Sequence, residues 1–99
     1  MEASVSVNGS QATISLSGDF TFEGHRAFKE ASQQILGRPE IATLVIDFDQ
    51  VDYMDSAALG MLLLLRERLA HRPIVLANTR GTVRAVLDVA NFGRLFDLS

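Results

Sequence analysis

The first third of the chain alternates between apolar and polar residues, as half-buried strands do. Its apolar positions are Val5, Val7, Ala12, Ile14 and Leu16. Between the two alternating segments, Asn8-Gly9 supplies residues that tolerate the positive φ of a tight hairpin turn. The pattern therefore predicts a β-hairpin whose second strand has one face towards a core and ends at Gly18-Asp19.

Apolar residues then recur at helical spacing in three segments, separated by short apolar runs. Helices are predicted over residues 24–36, from 56 or 57 to about 70, and over 83–90, with strands over 43–48 and 74–77. The unbroken run Leu44-Val45-Ile46 favours a strand covered on both faces. Residues 92–98 form an apolar tail that could be a short strand or a turn.

The predicted order is β-β-α-β-α-β-α, which indicates a single α/β domain over residues 1–99. Strands that alternate with helices pair in parallel through right-handed crossovers, while the opening hairpin adds an antiparallel edge. We therefore expect a mixed sheet of four or five strands with three main helices. The residues expected in its core are Leu44, Ile46, Leu59, Leu62, Leu63, Val75, Val86 and Leu87.

Charge and composition exclude several classes of function. Nine basic and twelve acidic residues give a net charge of −3, which argues against direct nucleic-acid binding. The chain has no cysteine, so thiolate chemistry is excluded, and a reducing cytoplasm suits it. The start of the sequence lacks the basic and apolar regions of a signal peptide, and its longest apolar run, residues 57–65, is too short for membrane insertion.

Four acidic residues fall within nine positions, from the end of the third strand to the start of the second helix: Asp47, Asp49, Asp52 and Asp55. A calcium loop would need a glycine at its sixth position and a glutamate at its twelfth, and both are missing. We therefore predict no metal and no cofactor, and we interpret Asp49 as a solvated turn carboxylate.

Ser56 stands where the second helix begins, and two roles are open to it. Its hydroxyl could cap the helix by accepting hydrogen bonds from free backbone N–H groups. It could instead accept a phosphate, which those N–H groups and the helix dipole would favour and which would add negative charge beside Asp55 and near Asp52. Catalysis by Ser56 would need a histidine base. His25, at the start of the first helix, could approach Ser56 in the fold, whereas His71 would lie ~20 Å away along the second helix, and no glycine-flanked serine turn surrounds Ser56.

The second helix is apolar almost all round, so most of its leucines must be core residues. Any apolar side chains of this helix that lie outside the core would form a protein-binding patch beside Ser56. Gly60 in the helix interior predicts close packing against the sheet or against a partner.

The segment Asp55-Ser56-Ala57-Ala58-Leu59-Gly60, after a Val-Ile-Asp strand, resembles the D-S-[SA]-[GA]-L-G signature of STAS domains, specifically bacterial anti-sigma factor antagonists. Leu16-Ser17-Gly18-Asp19-Phe20 resembles the second strand and turn of that family. Val83-Arg84-Ala85-Val86-Leu87 and Phe92-Gly93-Arg94-Leu95-Phe96 resemble its last helix and its aromatic tail. The resemblance covers nearly the whole chain.

This resemblance implies that the protein is not an enzyme but a signalling switch. A partner anti-sigma factor of the GHKL serine-kinase type would phosphorylate Ser56, and a metal-dependent serine phosphatase would reverse the modification. The unmodified form would bind the anti-sigma factor and free the sigma factor. The partner-binding residues carried over are Asp19, Thr21, Asp52, Asp55, Ser56, Ala57 and Leu59.

Two positions depart from the family pattern. Thr21 stands where the family often has an acidic residue, a role that Asp19 or Glu23 could take, and Ala57 stands where serine is frequent. Two other functions are open: a constitutive STAS subunit of a membrane transporter complex without a phosphorylation cycle, and a sensor of a small ligand.

Overall fold

Five strands, three α-helices and two short 3-10 helices make up the computed structural model, which describes residues 1–70 and 72–99. The strands are β1 (Glu2–Asn8), β2 (Gln11–Ser17), β3 (Thr43–Gln50), β4 (Ile74–Ala77) and β5 (Asp97–Leu98). The helices are α1 (His25–Leu36), α2 (Ser56–Leu69) and α3 (Gly81–Val89), and the 3-10 helices span Phe22–Gly24 and Phe92–Arg94. The predicted element order is confirmed, and the apolar tail does end in a strand.

The five strands form one mixed sheet in the order β1-β2-β3-β4-β5. β1 pairs antiparallel with β2 at one edge, and the other three pairings are parallel, as predicted. The hairpin turn lies one residue later than predicted, because Asn8 still pairs with Gln11. Gly9 has a φ of 63° and is followed by Ser10, so only the first central residue needs the left-handed conformation.

Every crossover from β2 onwards steps to the next strand in the same direction across the sheet. Because such crossovers are right-handed, all three helices lie on one face. The buried residues of the helices and strands accordingly belong to one core cluster. The expectation that β3 is covered on both faces is wrong: Leu44 and Ile46 are buried, whereas Val45 points to the open face and is half-buried.

The list of expected core residues is confirmed in part. Leu44, Ile46, Leu62 and Leu87 are buried. The prediction was wrong for Leu63, which is 40% exposed, and for Leu59, Val75 and Val86, which are half-buried. The four errors share a cause, since a sheet covered on one face buries only one side of each helix and strand.

The carboxyl ends of the parallel strands place three loops at one edge of the sheet, the usual position of functional sites in open α/β sheets. Just before that edge β3 has one extra residue relative to β2, because Ser15 pairs with Asp47 and Ser17 pairs with Gln50. Gly18, with a φ of 95°, then turns the chain out of β2. Within the described residues, none of the helices has the length and apolar character needed to cross a bilayer.

Candidate functional site

Phe20 fixes the loop that follows β2. Its side chain is fully buried, with its ring centroid 5.0 Å from that of Phe28 on α1 and 6.1 Å from that of Phe48 on β3. Aromatic pairs at these separations are stabilising beyond the area that they bury. The polar neighbours Asp19 and Thr21 are therefore carried on a firmly anchored segment.

The same loop is joined to the segment that precedes α2. The Phe20 N–H donates to the Tyr53 carbonyl at 2.9 Å, and the Asp55 N–H donates to the Phe20 carbonyl at 3.2 Å. Phe20 and Met54 consequently form a short parallel bridge. The structure thus brings Asp19 and Thr21 beside the start of α2, although more than thirty residues separate the two segments in sequence.

Asp55, not Ser56, caps helix α2. The Asp55 carboxylate accepts a hydrogen bond from the Ala58 N–H at 3.1 Å, with the extended backbone of an N-cap residue. Ser56 is the first helical residue, and its side chain is exposed. The capping role considered for Ser56 is therefore wrong, and its hydroxyl is free of that structural task.

The predicted partner-binding residues form one accessible region, which we call the Ser56 site. Asp19, Asp52 and Ser56 are exposed, and Thr21, Asp55, Ala57 and Leu59 are half-buried. Among the described residues, no lysine or arginine makes a hydrogen bond or an ion pair with Asp19, Asp52 or Asp55. The site is therefore acidic at these three carboxylates.

An apolar ridge on α2, formed by Leu59, Gly60 and Leu63, continues from Ser56 along the helix. Leu59 is half-buried, and Leu63 is 40% exposed. A Cβ atom added to Gly60 would meet no atom within 4 Å. The prediction that Gly60 packs against the sheet is therefore wrong, and packing against a partner stays a prediction.

Asp47 and Asp49 face away from this site. Asn78, in the left-handed conformation with a φ of 58°, donates to an Asp47 carboxylate oxygen at 2.8 Å. Arg80 pairs with the Asp49 carboxylate at 3.3 Å and donates to the Asp49 carbonyl at 2.6 Å. The interpretation of Asp49 as a solvated turn carboxylate is correct about its exposure, since the side chain is 53% exposed, but wrong about its place. Asp49 lies within β3 and pairs with Arg80 of the loop after β4.

His25 gives no support to catalysis by Ser56. His25 begins α1, as predicted, and stacks on Phe22 with their ring centroids 6.3 Å apart. Among the described side chains, no hydrogen bond joins His25 to Ser56. The distance predicted for His71 cannot be compared, because that residue lies outside the described residues.

Two exposed aromatic residues beside the site were not predicted from the sequence. Phe22 is 71% exposed directly after Thr21, and Tyr53 is 48% exposed two residues before Asp55. The sequence contained one indication of their exposure, because both lie in polar loop segments and outside the apolar pattern of any helix or strand. It could not be used without the pairing of Phe20 with Met54, which brings the two loops together.

Comparison with known proteins decides the family. The sequence model of the family described as Mlab, STAS domain matches residues 3–97. The chain belongs to the STAS domain family. A STAS-domain containing protein of Pseudomonas aeruginosa (strain UCBPP-PA14) is 38% identical over 96 residues, which cover 95% of this chain and 93% of that protein.

Several solved structures share the fold. An anti-sigma factor antagonist from Mycobacterium paratuberculosis superposes with a TM-score of 0.87 at 20% identity, over 97% of this chain and 82% of that one. The Bacillus cell fate determinant SpoIIAA in its phosphorylated form gives a TM-score of 0.71 at 20% identity, over 98% and 90% of the two chains. The family and the fold inferred from the D-S-A-A-L-G motif are thereby confirmed.

Proposed function

We propose that this STAS protein is an anti-sigma factor antagonist in a partner-switching system, controlled by reversible phosphorylation of Ser56. The unphosphorylated form binds an anti-sigma factor that is also a GHKL-type serine kinase. A metal-dependent serine phosphatase restores that form. The protein is the substrate of both enzymes and catalyses no reaction itself.

The observation that carries this proposal is the exposed Ser56 hydroxyl on the first residue of α2. Asp55 supplies the cap, so phosphorylation of Ser56 does not remove a hydrogen bond on which the helix depends. The Ser56 and Ala57 N–H groups lie in the first turn, where N–H groups lack partners within the helix. They and the helix dipole favour a phosphate at this place.

The charges of the Ser56 site explain how a phosphate would act as a switch. It would add about −1.5 to −2 charge units next to Asp55. In the described part of the chain, no lysine or arginine is paired with Asp19, Asp52 or Asp55, so none is already held at these carboxylates to pair with the phosphate. The modification would therefore act mainly through repulsion and desolvation at a docked partner.

The surface around Ser56 suits a protein partner better than a small substrate. Leu63 of the α2 ridge is exposed, and the exposed rings of Phe22 and Tyr53 lie on the two loops that the pairing of Phe20 with Met54 brings together. Aromatic residues are enriched in the core of protein interfaces, and tyrosine is among the residues that most often dominate the binding energy. Their position around a serine supports recognition by a kinase that is also the binding target.

The first test is whether Ser56 carries phosphate in the cell. We expect intact-protein mass spectrometry to find a singly phosphorylated pool, which Ser56→Ala abolishes and the matched exposed-serine variant Ser6→Ala retains. A protein that is never phosphorylated and is recovered in a persistent stoichiometric complex with an ATPase would contradict the switch. That result would favour the constitutive transporter subunit.

The second test concerns the partner. Titration calorimetry would compare the unmodified, Ser56→Ala and phosphorylated proteins against the GHKL-type serine kinase proposed as the partner. We expect the first two to bind alike and the phosphorylated form to bind more weakly. Equal affinity for phosphorylated and unmodified protein would reject regulation through Ser56.

A further inference from the structure

A second surface, separate from the Ser56 site, lies between α1 and α2. The two helices leave an apolar groove with a cavity of about 100 Å³. Its floor is formed by the buried side chains of Phe28, Met61 and Leu65. Leu36 and Leu64 form its walls, and Leu64 is 45% exposed. Apolar area is thus accessible in a place where the fold has no further element to cover it.

The rim of this groove is basic. His25, Lys29 and Arg68 line it together with the apolar residues, and no acidic side chain is among the lining residues. In the part of the chain that the structure describes, neither Lys29 nor Arg68 makes an ion pair. The rim is therefore locally positive, although the whole chain has a net charge of −3. The positive charge of the rim complements an acidic partner.

We propose that this groove, the α1–α2 groove, binds an acidic amphipathic helix of a partner protein. Amphipathic helices dock by placing apolar side chains three and four positions apart into grooves of this kind. Carboxylates beside those apolar anchors meet Lys29 and Arg68. The electrostatic match sets the orientation of the helix and selects against basic segments.

The dimensions of the groove favour a helix over a lipid chain. The α1 side runs from His25 to Leu36, which corresponds to about 16 Å or three helical turns. A dry cavity of about 150 Å³ accommodates one benzene molecule, so a cavity of about 100 Å³ is suited to one apolar side chain. A long acyl chain needs a deeper apolar cavity.

None of the residues that line the α1–α2 groove belongs to the Ser56 site. The inference therefore goes beyond the proposed switch and does not depend on it. A partner on the α1–α2 groove can remain bound while the Ser56 site changes its phosphorylation state, which would let one STAS domain connect two proteins.

The test uses a fluorescent 15-residue helix-forming peptide with leucines along one face and glutamates beside them. Its matched control carries lysine in place of each glutamate. Anisotropy titrations against the full chain at low salt are expected to give a dissociation constant at least about tenfold lower for the glutamate peptide. Equal binding of both peptides, or no binding of the glutamate peptide at 1 mM protein, would overturn the proposal.

Substitutions locate the binding. Arg68→Glu is expected to raise the dissociation constant of the glutamate peptide at least about tenfold, because it reverses a charge on the rim. The control Arg94→Glu makes the same change on an exposed residue outside the groove, and affinity should stay within twofold. Equal losses in the two variants would show only a general charge effect and would reject the groove as the site.

Two further measurements distinguish a helix in the α1–α2 groove from a peptide on the Ser56 site and from a bound lipid. The Ser56→Asp variant should bind the glutamate peptide with the same affinity as the unmodified protein, whatever its effect on kinase binding. A loss of peptide affinity as large as that of Arg68→Glu would place the peptide on the Ser56 site and reject the groove. NMR titration with decanoate tests for an anionic lipid. Shifts of groove amides with decanoate but not with the peptide would contradict a helical partner.

Discussion

Asp55 and Ser56 are adjacent, yet the structure gives them separate tasks. Asp55 holds the first turn of α2 through the Ala58 N–H, while the Ser56 side chain projects into solvent. A residue that caps a helix cannot be modified without changing the helix end. This division allows Ser56 to change its charge while α2 keeps its start.

The two residues should therefore differ in their effect on stability. Asp55→Ala is expected to lower the free energy of unfolding by about 1 kcal/mol, because the Ala58 N–H loses its acceptor. Ser56→Ala should change it by less than about 0.5 kcal/mol, as is usual for surface substitutions. Urea unfolding of both variants measures the difference, with Asp55→Asn as a control that keeps a capping side chain. A larger loss for Ser56→Ala would contradict the assignment of the cap.

Acidic substitutions of Ser56 should weaken binding to the proposed kinase partner. Ser56→Asp adds charge beside Asp55 and places a carboxylate where an interface would desolvate it. The effect should be smaller than that of phosphate, since a carboxylate has one charge and two oxygens. Calorimetric titration should rank the forms in the order unmodified, Ser56→Asp, phosphorylated. Tighter binding of Ser56→Asp than of the unmodified protein would contradict repulsion as the mechanism.

At the scale of elements, α2 has more apolar surface than the fold can bury. Its core side includes Leu62 and Leu65, and its other sides expose Leu63 and Leu64. Leu63 lies on the ridge that leads from Ser56, and Leu64 lines the α1–α2 groove. One helix thus contributes to the core and to both of the proposed interaction surfaces.

Gly60 allows stability and binding to be measured separately on this helix. Gly60→Ala should raise the free energy of unfolding by up to about 1 kcal/mol, since alanine is the better helix former and its Cβ meets open space. If a partner packs closely on the ridge, the same variant should bind it more weakly. The opposite substitution at an exposed position of α3, Ala85→Gly, should lower the free energy of unfolding by a similar amount. A loss of stability in Gly60→Ala would show that the position is crowded.

For the whole molecule, the sheet has one covered and one open face. The open face carries mainly short polar side chains, such as Thr13 and Ser15 of β2, with Val45 and Val75 half-buried among them. Antiparallel sheets often have this arrangement, whereas parallel strands are usually covered on both faces. Here the crossovers all step in one direction, which leaves no helix for the second face.

Adjacent residues of β3 should therefore respond very differently to substitution. Ile46→Ala removes a fully buried side chain and should cost about 2–5 kcal/mol of unfolding free energy. Val45→Thr keeps a β-branched side chain on the open face and should cost less than about 1 kcal/mol. Chemical unfolding monitored by circular dichroism compares the two. Similar losses would indicate that the open face is covered in solution.

The sequence by itself determined the order of the elements, the family and the identity of the candidate serine. Apolar residues at every second position, or at helical spacing, are a local property of the chain. Ile14 could therefore be assigned to a strand and Phe28 to a helix without knowledge of the fold. The motif from Asp55 to Gly60 is also local. These predictions needed no information about which segments meet.

Only the tertiary structure decided what covers each face and which loops form the site. The exposure of Leu63 and Val45 follows from the common direction of the crossovers, which no single segment encodes. Asp55 rather than Ser56 caps α2 because the backbone becomes helical at Ser56 and is still extended at Asp55. The sequence pattern does not distinguish these two adjacent positions. Asp19 and Thr21 reach the start of α2 because Phe20 is buried and pairs with Met54, a contact between distant segments that requires the packed core.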